Sequence, residues 1–262
     1  EQRGVDARAM LAGGELRIEM LSGEGSQLDD PAFGVAYLGA FFLYMVILLY
    51  AVSVMRATLE EKTSRMVEVI ISSMKPWHLM LGKILGVGAV SLTQLTIWLL
   101  AGALMFVSGL PMLISARPEM ALLAGVAEAL PGPRLVLLFV GFFVFGFFMY
   151  AGLHAAVGAM CNSDEEAQQA QFPILMLLVV PIIMVLNVIQ DPMSPLATGL
   201  SLFPLFTPIL MWARVASGAV PAWQIGLSFV IMALAIVAIA WLAGRIYKVG
   251  ILMAGKRPTL PE

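Results

Sequence analysis

Five long apolar runs divide the chain, near residues 33–55, 84–107, 135–160, 172–189 and 225–244. Each approaches or exceeds the roughly 20 apolar residues that a helix needs to cross the hydrocarbon core of a bilayer. Inside lipid every backbone N–H and C=O must find a partner within the protein, so only helices and closed barrels can span. Barrel strands alternate apolar and polar residues, and these runs do not alternate. The expected fold is therefore all-α: a polytopic transmembrane helical bundle. Composition points the same way, with 60% hydrophobic and 12% charged residues, against about 45–50% and about 25% in soluble chains. The fourth run starts at Pro173 and holds Pro181, which removes a backbone donor and predicts a bend. A shorter apolar stretch, 195–213, contains Pro204 and Pro208. It is too broken to span and reads as a re-entrant segment in the outer leaflet, its free backbone groups covered by protein.

The net charge of −2 says little about partners, and no nucleic-acid partner is expected. The placement of the 15 Lys and Arg residues says more. With the first interspan segment inside, nine lie on the inner side: Arg56, Lys62, Arg65, Lys75, Lys83, Arg245, Lys248, Lys256 and Arg257. The six on the outer side are Arg3, Arg8, Arg17, Arg117, Arg134 and Arg214. Positive charge gathers on the cytoplasmic side, so the N-terminal end is expected outside and the C-terminal end inside. Trp223 and Tyr247 flank the last run and suit the two interfaces. Residues 1–32 are polar, without an initiator Met or a signal-peptide pattern. They read as the tail of an extracytoplasmic domain whose earlier part, with at least one span, precedes this fragment. Residues 33–255 form the transmembrane domain and 256–262 a cytoplasmic tail. Cys161 is the single cysteine, so no disulfide framework exists.

No G-x-x-x-x-G-K-[ST] phosphate loop and no H-E-x-x-H occurs. The two histidines, His78 and His154, stand on different segments without nearby carboxylate pairs. Catalytic, cofactor and metal sites are therefore expected to be absent. Among polar residues inside the runs, Gln94 (with Thr93 and Thr96) and Asn187 (near Gln190) have two readings. One is a translocation path; the other is hydrogen bonding between helices, worth about 0.6 kcal/mol on average. Gly82 and Gly86 form a small-xxx-small pair suited to close helix packing.

The segment 56–75 is the most informative. Nothing breaks a helix before Pro76. On that helix Glu61 would meet Arg65, and Arg65 would meet Glu68, at i,i+4 and i,i+3 spacing. Met66, Val69, Ile70 and Ser73 line a second face. The pattern fits an amphipathic helix at the inner surface, either an anchor or an element that contacts another subunit.

The run Glu60-Glu61-Lys62-Thr63-Ser64-Arg65, continuing through Met66-Val67-Glu68-Val69-Ile70-Ile71-Ser72-Ser73 to Leu81-Gly82-Lys83-Ile84-Leu85-Gly86, resembles the signature of ABC-2 type transporter permeases. The sodium-efflux-like (NatB-type) branch is nearest. Ala155-Ala156-Val157-Gly158-Ala159 with Glu165-Glu166-Ala167-Gln168-Gln169 resembles an inner loop of that branch, and Phe203-Pro204-Leu205-Phe206-Thr207-Pro208 its outer re-entrant segment. The likeness covers most of 33–255. It implies an ABC-2 (type V exporter-like) permease, preceded in the whole protein by a first span and a large external domain. It implies two permease copies or paralogues paired in the inner (plasma) membrane above two separate ABC ATPase subunits. ATP and Mg would then bind in the partner, and this chain would be no enzyme. It also makes 56–75 the coupling helix, with Glu60, Glu61, Lys62, Thr63, Ser64, Arg65 and Glu68 as its ATPase-coupling residues. An ATP-driven exporter permease is the expected function. The alternative is a non-transporting assembly or sensor subunit of the same fold; a phosphate-loop ATPase encoded next door would favour export.

Overall fold

The computed structural model describes residues 31–63, 76–117, 132–218 and 220–252. Every regular element among them is helical: α1 (Pro31–Thr63), α2 (Pro76–Leu104), and a π-helical turn (Met105–Gly109) leading into α3 (Leu110–Ala116). Then follow α4 (Pro133–Met160), α5 (Asp164–Ala170), α6 (Phe172–Gln190), α7 (Pro195–Leu202), α8 (Thr207–Ala216) and α9 (Ala222–Leu252). Five helices, those containing the five apolar runs, are long and apolar enough to cross a membrane. The all-α polytopic bundle expected from the sequence is the fold observed.

Local chemistry sets where helices begin. Pro31, Pro76, Pro133 and Pro195 open α1, α2, α4 and α7, and Pro173 and Pro208 lie in the first turns of α6 and α8. A first-turn residue has no intrahelical acceptor for its N–H, so proline costs nothing there. Serine caps two short helices: Ser163 Oγ accepts from Glu166 N–H at 3.2 Å, and Ser194 Oγ from Ala197 N–H at 3.1 Å. The Glu166 carboxylate accepts from Asn162 N–H at 2.8 Å. Gly218, at φ 82°, makes the left-handed turn between α8 and α9.

α4 is the central helix. Phe142, Phe143, Phe147, Met149 and Tyr150 are all fully or almost fully buried on it. It packs most extensively on α1 and α9. At Gly146 an added Cβ would meet Ile47 Cδ1 at 2.7 Å and Pro208 at 3.0 Å; at Gly158 it would collide with the Met55 carbonyl oxygen. Missing side chains thus let α1 and α4 approach closely, as small residues do between membrane helices. Phe139 packs edge-on to Trp212 of α8 at 5.0 Å, and Phe142 stacks on Phe229 of α9 at 4.8 Å. The Gly82 and Gly86 pair plays no such part among the described residues: open space surrounds both. The C-terminal half of the second span turns large apolar side chains outward, including Leu100, Leu104 and Val107.

The first span does not stop at its apolar run. α1 continues unbroken to Thr63, so 56–63 is its last part, while 64–75 lies outside the described residues. The stretch 195–213 forms α7 and most of α8. At about 1.5 Å per residue these helices are about 12 and 15 Å long, too short for a hydrocarbon core of about 30 Å.

Candidate functional site

Four helices converge where α1 ends. Lys62 Nζ donates to the carbonyls of Ala159 at 2.9 Å, Met160 at 3.4 Å and Cys161 at 3.1 Å. These are carbonyls of the C-terminal turn of α4, which have no N–H partner within their own helix. The ammonium also opposes the negative end of the α4 dipole. Its three protons thus match three acceptors, and the side chain is buried. One residue earlier, Glu61 forms an ion pair with Lys83 of α2. Lys83 Nζ also donates to the Ala57 carbonyl at 2.7 Å, and Tyr247 of α9 donates its hydroxyl to Glu61 at 3.4 Å. Glu61 and Lys62 therefore tie α1 to α2, α4 and α9.

The other two described residues of this run, at 60 and 63, face away from the bundle. Glu60 and Thr63 are exposed, and Thr63 Oγ1 turns back to the Leu59 and Glu60 carbonyls, both at 3.1 Å. The described part of the charged run, residues 60–63, thus holds two kinds of residue: inward fasteners and outward groups that can meet another surface. Ser64, Arg65 and Glu68 lie outside the described residues, as do the Glu61–Arg65 and Arg65–Glu68 pairs. Beside the junction, α5 presents exposed Asp164, Glu165 and Glu166. Burial pushes the Cys161 thiol up, the nearby Glu166 carboxylate adds to this, and the Lys62 ammonium partly offsets it. Both the raised pKa and the burial of Cys161 disfavour the reactive thiolate.

Gln94 and Asn187, the candidate path residues, both lie on the outer surface of this chain, so the bundle interior does not bring them together. The Gln94 amide has no partner among the described residues, whereas Thr93 and Thr96 bond back to the Ala89 and Leu92 carbonyls at 2.9 and 2.8 Å.

Three polar residues matter more here than the sequence reading gave them. Tyr247, taken from its position as an interfacial ring, is fully buried against Glu61. Nearby on α9, exposed Arg245 lies over exposed Trp241, at 4.2 Å. Arg214, counted as an outer charge, is also fully buried. It fastens the α7–α8 hairpin by donating to Pro192 O at 2.7 Å, Ser201 Oγ at 2.7 Å and Thr198 Oγ1 at 3.1 Å. Tyr150 reaches from α4 to both α6 and the hairpin, donating toward Leu177 O at 3.1 Å and Leu205 O at 2.7 Å. A buried arginine or tyrosine needs a hydrogen-bond partner, but a sequence does not say which one. His154 is buried with Nδ1 at 2.9 Å from the Tyr150 carbonyl. A carbonyl can only accept, so Nδ1 carries the proton in that bond.

The chain is 34% identical over 237 residues to protein YhaP of Bacillus subtilis, covering 88% of this chain and 55% of the relative. It is 28% identical over 220 residues to protein MJ1024 of Methanocaldococcus jannaschii, covering 84% of this chain and 50% of that relative. Both are described as uncharacterized, and the chain spans about half the length of each. No solved structure matches. The pattern of the ABC-2 family transporter proteins matches residues 23–245, which takes in four spans and the hairpin whole and the fifth span up to its last two residues. The chain is a multi-pass membrane protein and belongs to the ABC-2 transporter family, as a permease component.

Proposed function

We propose that this chain is part of the permease subunit of an ATP-driven exporter, served by a separate ABC ATPase subunit that binds ATP and Mg. The observation that carries the reading is the junction at the end of α1. A charged helix end whose Glu61 and Lys62 are fastened to α2, α4 and α9 is stiff. Its exposed Glu60 and Thr63 offer a surface to a partner. A push there is delivered to four helices together. The segment 56–75 is then the coupling element, with Ser64, Arg65 and Glu68 completing it, and this end of the bundle faces the cytoplasm of the inner (plasma) membrane.

Gln94 and Asn187 face outward from the bundle, where an unpaired amide in hydrocarbon is costly. A path built with them runs between permease copies or paralogues, not through one chain, with lipid covering the apolar remainder. The resemblance to the sodium-efflux-like branch rests on the 60–65, 155–159 with 165–169, and 203–208 runs, so sodium, organic cations, lipids and peptides are the substrates to test.

The test is the full-length permease reconstituted with its ATPase. Glu60→Lys should lower ATPase co-purification and substrate-stimulated hydrolysis by about tenfold, as expected when a contact worth about 1.4 kcal/mol is lost. Expression should not change. Wild-type co-purification and hydrolysis in this variant would remove the coupling role. Failure of the wild-type pair to export any of these substrates would favour an assembly or sensor subunit.

A further inference from the structure

Pro181 stands inside α6 and has no N–H. The acceptor that this N–H would have served is the carbonyl of Leu177, four residues earlier. That carbonyl is not left bare: the Tyr150 hydroxyl of α4 lies 3.1 Å from it. The same hydroxyl lies 2.7 Å from Leu205 O, in the turn between α7 and α8. A phenol has one proton, and both acceptors are carbonyls. One donor therefore serves two sites that belong to different elements, the proline gap of α6 and the tip of the hairpin.

The other polar bonds of the hairpin turn among the described residues are local to it. Phe206 N and Thr207 N donate to Phe203 O, each at 2.9 Å, and Thr207 Oγ1 donates to the same carbonyl at 2.8 Å. Pro208 packs beside Gly146, one α4 turn before Tyr150. Tyr150 stands about 15 Å before the Met160 end of α4, at about 1.5 Å per residue, so the bond anchors the hairpin deep in the bundle. Water is scarce there, and an unserved carbonyl is expensive.

We propose that Tyr150 is a positioning residue that links the hairpin to the proline gap of α6 through competition for its single proton. With the hairpin seated, the proton goes mainly to Leu205 O and the Leu177 carbonyl is weakly served. When the hairpin lifts, the proton passes wholly to Leu177 O and closes the gap in the α6 ladder. Hairpin release and α6 stiffening are then one event. This linkage does not rest on the transport reading.

A double-mutant cycle read by amide hydrogen exchange tests it, on the full-length protein in lipid nanodiscs, at the turn 203–209. Tyr150→Phe keeps the ring and removes the proton, and should speed exchange there about fivefold, the effect of one typical hydrogen bond. Pro181→Ala gives the Leu177 carbonyl its own N–H and frees the phenol for Leu205. It should slow exchange at the turn roughly twofold, although residue 181 is on another helix. In the Tyr150→Phe background Pro181→Ala should change nothing at the turn. An equal effect of Pro181→Ala in both backgrounds, or none in either, would overturn the proposal. Should Tyr150→Phe fail to assemble, Pro181→Ala alone decides: an unslowed turn sinks it.

Discussion

At the scale of single residues, neighbours in sequence do different work. Glu60, Glu61, Lys62 and Thr63 read as one charged run, yet Lys62 is enclosed by three carbonyls and Glu60 is exposed. A helix turns about 100° per residue, so adjacent positions near a helix end point to different surroundings. Lys62→Met keeps most of the aliphatic stem and removes all three donors. It should destabilise the protein by about 1–3 kcal/mol, since hydrogen bonds from a charged group are the stronger kind. Glu60→Ala should change stability by under about 0.5 kcal/mol, as surface substitutions do. Thermal unfolding of both variants in the same nanodiscs checks the contrast. A Lys62→Met midpoint equal to that of Glu60→Ala would mean that the α4 carbonyls are served equally well by water.

At the scale of helices, the spans were legible because their signal is local: a run of apolar residues reports its own need for lipid or protein. All five runs became helices, and the broken stretch 195–213 became two helices too short to cross. Which helix meets which was not legible, because contacts depend on faces brought together from distant parts of the chain. Gly82 and Gly86 have the spacing of a packing motif, yet a Cβ added to either would meet no described neighbour within 4 Å, while Gly146 and Gly158, on the central helix, lie against α1. The junction partners were equally hidden: Lys83 and Tyr247 carried ordinary signals of their own and no mark that joined them to Glu61. Gly158→Ala places a methyl group against the Met55 backbone carbonyl and should cost about 1–3 kcal/mol, the usual range for overpacking. Gly82→Ala should be neutral or slightly stabilising, since alanine is the better helix former. Loss of folded protein on heating, compared between these two variants, separates close packing from chance spacing; equal behaviour would contradict the contact.

At the scale of the whole molecule, both ends of the bundle can be probed. Cysteines at Thr63 and Ser163 sit at the junction end, and cysteines at Asp191 and Met193 at the opposite end; all four positions except Ser163, which caps α5, are free of side-chain caps, and all four are exposed. In intact cells, in the full-length chain with Cys161 replaced by Ser, an impermeant thiol reagent should label positions 191 and 193 and spare 63 and 163. The reverse pattern would invert the orientation and take the junction away from any cytoplasmic ATPase.

The hairpin's fastening has an electrical consequence. Arg214 is held by neutral oxygens, and among the described residues no carboxylate forms an ion pair with it. The hairpin therefore carries a positive charge that has no ion-pair partner among the described residues. Moving one charge across the whole field is worth about 2.3 kcal/mol per 100 mV, and a partial excursion a proportional share. If the hairpin lies within the membrane field, as the re-entrant reading of 195–213 has it, a shift along the membrane normal would do work against the membrane voltage, and that voltage would then bias where the hairpin rests.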